Sequence, residues 1–87
     1  MYQINAFASW QTLNDTLYIL DERNGKYYAF KSNVARIIWH GIEDKESFSE
    51  ITNKISNLYS VDLTRVIQDC SRFINDLLSV QLISEVA

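Results

Sequence analysis

The pair Asn24-Gly25, set between two runs of strand-favouring residues, restricts this chain more than any other feature. Thr16-Leu17-Tyr18-Ile19-Leu20-Asp21 stands before the turn segment, and Lys26-Tyr27-Tyr28-Ala29-Phe30-Lys31 follows it. β-Branched and aromatic side chains suit the pleated surface of a strand. Asn and Gly tolerate the positive φ that tight hairpins demand. The spacing therefore predicts an antiparallel hairpin over Thr16–Asp21 and Lys26–Lys31, turned by Asp21-Glu22-Arg23-Asn24-Gly25. Ala6 to Trp10 reads as a short strand ahead of it. Alternation puts Lys26, Tyr28 and Phe30 on one face of the returning strand and Tyr27, Ala29 and Lys31 on the other. Each face carries an aromatic ring, so neither is expected to be fully solvated.

Beyond the hairpin the periodicity becomes helical. Ser32 is placed to cap a helix that carries Val34, Ile37, Ile38 and Trp39 inward, with Gly41 as its stop. Ser47-Phe48-Ser49-Glu50 has the form of a capping box, in which side chain and backbone satisfy each other's free groups. The helix after it is expected to bury Phe48, Ile51, Ile55 and Leu58. Asp62 stands as the cap of a third, longer helix running to about Ser79. Leu82-Ile83 is a short apolar tail suited to packing on the core. A small antiparallel three-stranded sheet followed by three helices is an α+β arrangement of the winged helix-turn-helix type.

At about 100° per residue the third helix divides into sectors. Val66, Ile67, Cys70, Phe73, Ile74, Leu77 and Leu78 share one arc. Asp62, Arg65, Asp69, Arg72 and Asp76 form a charged ladder beside it. A row of intrahelical ion pairs is one reading of that ladder. The other reading, compatible with the first, makes Asp69, Arg72 and Asp76 the rim of a groove floored by Phe73 and Leu77.

Composition narrows the classes of function. With 87 residues and no proline, the chain reads as one domain. Its net charge of −3 argues against nucleic acid, whose phosphates call for a basic face. The same balance disfavours anionic membrane surfaces, and no apolar run approaches the roughly 20 residues of a membrane span. The N-terminus lacks the pattern of a signal peptide. Cys70 is the sole cysteine, which fits a reduced cytoplasmic setting better than a disulfide scaffold. Asn14-Asp15-Thr16 matches a glycosylation sequon, which carries no meaning without export. His40 is the sole histidine, so neither a metal cluster nor a Cys–His catalytic pair is spelled out. No catalytic residue, cofactor or metal is expected. Taken alone, the aromatic residues of the returning strand suit a core as well as a site.

Residues 17–39 resemble the PqqD-like domains: an apolar strand, an acidic turn running into Gly-Lys-Tyr-Tyr, then a helix ending in Ile-Trp. The likeness continues in Leu58-Tyr59-Ser60-Val61-Asp62, in Asp69 to Leu78 and in Leu82-Ile83. Lys31 departs from the pattern, standing where Asn is common, and the first sixteen residues show no match. The resemblance implies a recognition element of ribosomally made, modified peptides. Such an element holds the leader of a precursor peptide by strand addition and presents it to a processing enzyme. It places the peptide on the edge Tyr27, Tyr28, Ala29, Phe30 and Lys31, against a wall of Asp69, Arg72, Phe73 and Asp76. Stand-alone forms are similar to the leader-binding proteins of lasso-peptide pathways, whose partner is a leader-removing cysteine protease. A peptide chaperone for a radical enzyme in pyrroloquinoline quinone assembly is the near alternative, and a winged-helix DNA-binding regulator a more distant one. An unfilled edge also leaves room for weak pairing with a second copy.

Overall fold

The structure is a computed structural model that describes residues 1–86. Its central strand is β3 (Thr16–Asp21), with β2 (Ala8–Leu13) on one side and β4 (Lys26–Phe30) on the other, all antiparallel. Centrality explains the burial of β3, where Leu17 and Ile19 are both fully inaccessible. Burial of side chains this size is worth about 1.5–3 kcal/mol each.

The two hairpin turns differ. Leu13 pairs with Thr16, so β2 and β3 are joined by only Asn14 and Asp15, at φ 49° and 64°. This is the two-residue turn with positive φ at both positions. The Asp21–Lys26 turn is longer, with Glu22 to Gly25 between the paired ends, and there Gly25 takes φ 73°. The Gly25 N–H donates to the Asp21 carbonyl at 2.8 Å. The expected hairpin over Thr16–Asp21 and Lys26–Lys31 forms, with its returning strand ending one residue earlier, at Phe30. Ahead of it one strand, Ala6–Trp10, is expected. The structure has β1 (Tyr2–Ile4) there, then a turn, then β2. Asn14 and Asp15, read only as part of a sequon, supply the missing turn.

Three helices follow: α1 (Asn33–Glu43), α2 (Phe48–Tyr59) and α3 (Leu63–Ser79). Ser32 Oγ caps α1 by accepting the Ala35 N–H, as expected. Ile38 and Trp39 are buried, whereas Val34 and Ile37 are only partly covered. Gly41 does not stop the helix. It is buried within α1, and a Cβ there would stand 2.7 Å from Ile51 Cγ1. Glycine thus allows a close approach of α1 to α2. The chain leaves the helix through Lys45, at φ 61°.

The capping box of α2 is complete. Ser47 Oγ accepts the Glu50 N–H at 3.1 Å, and Glu50 Oε1 accepts the Ser47 N–H at 3.0 Å. Ile51, Thr52 and Ile55 are buried, but Leu58 is 63% exposed, against expectation. Residues 57–65 are exposed throughout, so this corner projects past the cover that α1 and α3 give the core. Asp62 occupies the cap position of α3 without a side-chain capping bond. Val66, Cys70, Ile74 and Leu77 form the buried stripe of α3, while Ile67 is left 39% exposed.

After α3 the chain returns as β5 (Ile83–Glu85), which pairs antiparallel with β1. Leu82 and Ile83 are buried, so the apolar tail packs as expected. The fold is α+β: a three-stranded antiparallel sheet followed by three helices, with a two-stranded β1–β5 sheet added.

Candidate functional site

With β3 central, the outer side of β4 has no strand partner among the described residues. An antiparallel strand turns its N–H and C=O groups alternately to either side, so β4 offers a row of unpaired donors and acceptors there. Its side chains separate as the alternation requires. Tyr28 and Phe30 are half-buried, and Tyr27, Ala29 and Lys31 are exposed. Tyr27 is 69% exposed, so the outer face is more solvated than its aromatic ring suggested.

The edge runs beside α3, and Phe30 meets Phe73 edge-to-face with ring centroids 5.1 Å apart at 89°. Of the four wall residues read from the sequence, Phe73 is thus in direct contact with the strand. Asp69, Arg72 and Asp76 are all exposed on α3. The ladder does not form a row of ion pairs. Among the described residues it closes one contact, Arg72 to Asp69 at 3.9 Å, with both side chains more than half exposed. Such a pair adds little to stability, so these charges are available to a ligand. Asp69 also borders an apolar recess of about 110 Å³ between the helices, shared with Val34, Ile55, Tyr59, Val61, Val66 and Cys70. Sequence reasoning did not assign this recess. Its one signal was the Leu58–Asp62 segment, which carried part of the resemblance but no role.

The start of β4 is tied to the end of α3 by a residue outside the expected site. Arg23, in the β3–β4 turn, chelates Asp21: Nε donates to Oδ1 at 3.1 Å and Nη2 to Oδ2 at 2.8 Å. Nη1 donates to Gln81 Oε1 at 2.6 Å, and Nη2 to the Val80 carbonyl at 3.1 Å. The guanidinium lies 3.9 Å over the Phe7 ring. These bonds from Arg23 hold the Asp21 carboxyl below its ordinary range, working against burial, and the carboxylate in turn raises Arg23. Together the contacts show that β4 runs antiparallel to α3, from Val80 at its start to Phe73 at its end.

The remaining reactive groups do not assemble. Burial pushes the Cys70 thiol up to about 11, with the Asp69 charge adding to the effect, which disfavours the thiolate a nucleophile needs. His40 Nδ1 stands 3.0 Å from Glu43 Oε1 on the surface of α1. Among the described residues no three His, Cys, Asp or Glu side chains are placed to hold a metal. No helix is long and apolar enough to cross a membrane.

The family model of coenzyme PQQ synthesis protein D, PqqD, matches residues 16–83. Among solved structures, "TbiB1 in Complex with the TbiA(beta) Leader Peptide" is similar with a TM-score of 0.89 and 26% identity, covering 98% of each chain. "Lasso peptide synthetase B1 complexed with the leader peptide" has the same fold, with a TM-score of 0.88 and 18% identity, over 97% of this chain and 98% of that one. At that coverage the matches extend over the N-terminal residues, which lie outside the family resemblance. No match is found among the curated proteins.

Proposed function

The chain belongs to the PqqD family, and we propose that it captures the leader segment of a ribosomally made precursor peptide and delivers it to a processing enzyme. The observation that carries this reading is the open edge of β4 beside α3, joined at Phe30–Phe73. An extended peptide adds there as a fourth strand. Its backbone bonds to the edge from Tyr27 to Lys31, which supplies affinity with little regard to sequence. Alternate side chains turn toward Phe73 and the exposed charges of Asp69, Arg72 and Asp76, which supply selectivity. The protein itself performs no chemistry. It holds the peptide extended, so that the partner meets a fixed end rather than a disordered chain.

The fold is shared with two leader-bound proteins, one of them a lasso peptide synthetase component, which favours a lasso-type pathway; the partner we infer is a leader-removing cysteine protease, and the setting the cytoplasm. The family's own description favours a second reading: a peptide chaperone in the assembly of a pyrroloquinoline quinone-like cofactor. The two are separated by which precursor binds. Titration with a synthetic leader from the precursor encoded beside the gene should give a dissociation constant of roughly micromolar or tighter. Phe73→Asp should abolish binding, with circular dichroism confirming the fold, while Gln68→Ala on the exposed side of α3 should leave it intact. Lack of binding by the unaltered protein to any neighbouring precursor would sink the proposal.

A further inference from the structure

We propose that Arg23 is the positioning residue of the β4–α3 groove, fixing the gap that an added strand must fit. The inference rests on the leader-capture reading and deepens it. An added peptide has to satisfy two surfaces at once. It must lie at hydrogen-bonding distance from β4, about 4.8 Å between strands, and its side chains must reach α3. A shift of about an ångström between strand and helix weakens one set of contacts or the other.

Two ties set that spacing, one at each end of β4. Phe30–Phe73 is the tie at the strand's end, and Arg23 is the tie at its start. The turn that carries Arg23 has little packing of its own, for residues 22–27 are all exposed. Arg23 instead reaches Val80 and Gln81, 57 and 58 residues away in sequence, at the end of α3.

The chemistry of this tie is specific to a guanidinium. One edge of the planar fork meets both oxygens of Asp21, whose side chain is only 1% exposed. The remaining donors face α3, and the Phe7 ring covers one side of the plane. Asp21 is itself aimed by the Arg23 backbone N–H, which donates to Oδ1 at 3.0 Å. A lysine ammonium keeps the charge but is a single point without the fork, so it cannot span Asp21 and α3 in this geometry. Since Asp21 pairs with Lys26, the first residue of β4, any slack at Arg23 passes directly to the edge. A groove held at its bound width spares the peptide the cost of ordering it.

The test uses the whole chain and one probe, the synthetic leader of the precursor encoded beside the gene, with affinity read well below every variant's melting temperature. Arg23→Lys should weaken binding about tenfold, the size of a lost charged hydrogen-bond set. Gln81→Ala, which removes an acceptor on the α3 side and leaves Asp21–Arg23 intact, should weaken it about threefold. Ser47→Ala breaks the α2 capping box at a comparable cost in melting temperature and should not change affinity. If the unaltered protein binds and both Arg23→Lys and Gln81→Ala stay within about twofold of it, the positioning role is wrong. It is equally wrong if Ser47→Ala weakens binding as much as Arg23→Lys does, for then only stability is being read. Should Arg23→Lys fail to fold, Gln81→Ala decides alone. Failure of the unaltered protein to bind is a different result, which overturns leader capture itself and this inference with it.

Discussion

The three-stranded sheet has two outer strands, and each is pinned to a helix by one aromatic pair. On the β2 side Trp10 meets Trp39 of α1, with centroids 5.4 Å apart at 76°. On the β4 side Phe30 meets Phe73 of α3 at 5.1 Å and 89°. Edge-to-face pairs of this kind add about 0.5–1.5 kcal/mol beyond the area they bury. The geometries nearly coincide, yet their surroundings differ. Trp39 is fully inaccessible, while Phe30 and Phe73 are both half-buried. Trp10 is itself half-buried, so the first pair has one ring sealed inside the core and one at its margin. Both outer strands lack a strand partner on one side among the described residues, so what sets the second pair apart is that both of its rings keep surface that folding leaves uncovered. The same contact can therefore belong to a core or to an interface, and what lies above it decides which.

Truncating each pair should separate the two sides most strongly. Trp39→Ala leaves a large cavity and should cost about 3–5 kcal/mol, enough to remove much of a small domain's stability. Denaturant melting measures it, and a loss below about 1 kcal/mol would place Trp39 outside the core. Phe30→Ala, half-buried, should cost about 2 kcal/mol in the same experiment. Its larger effect should appear in peptide affinity, at least tenfold weaker by calorimetry. Equal stability losses at the two sites, with peptide affinity untouched, would erase the distinction.

Acid should separate the two sides by a smaller effect. Asp21 belongs to the β4 side, where the Arg23 side chain holds its carboxyl below the ordinary value. A carboxyl lowered in the folded state contributes stability that is complete above its unfolded value, about 3.9. That contribution is lost as pH falls through the lower folded value. The turn at residues 22–27 should therefore loosen only below about pH 4, seen as shifts of its amide signals. Fluorescence of Trp10 and Trp39 should hold steady until the chain unfolds as a whole. Asp21→Asn should remove the local acid step, and an acid step that survives it would assign the step to another group.

The parts of the fold legible in the sequence are those written in neighbouring residues. Asn24-Gly25 marked the hairpin for two local reasons: Gly25 meets a positive φ, and Asn24 Oδ1 accepts the Lys26 N–H within the turn. Ser47 and Glu50 marked the start of α2 because the capping bonds join positions three apart. The stripe Val66, Cys70, Ile74 and Leu77 gave α3 its length and its buried face. Parts set by distant partners were not legible. Strands β1 and β5 are three residues each and pair across the whole chain, so neither carries a signal in its own composition. Gly41 looked like a stop because its tolerance of close packing cannot be told from its tolerance of positive φ without seeing Ile51. Leu58 had the right period for a core position, but its helix outruns the cover above it. At the proposed site, the two faces of β4 followed from alternation and Phe73 from helical phase, while the choice of β4 as the edge came from the family resemblance. Arg23 followed from none of these, because its partners Val80 and Gln81 lie beyond any local pattern.

The close approach at Gly41 constrains how this fold can diverge. A methyl group there would press on Ile51, which sits at the first buried position of α2. Replacing Gly41 therefore requires Ile51 to shrink, and an unshortened Ile51 requires glycine to remain. The two residues therefore form a matched pair at the crossing of α1 on α2, and a change at one is tolerated only with a compensating change at the other.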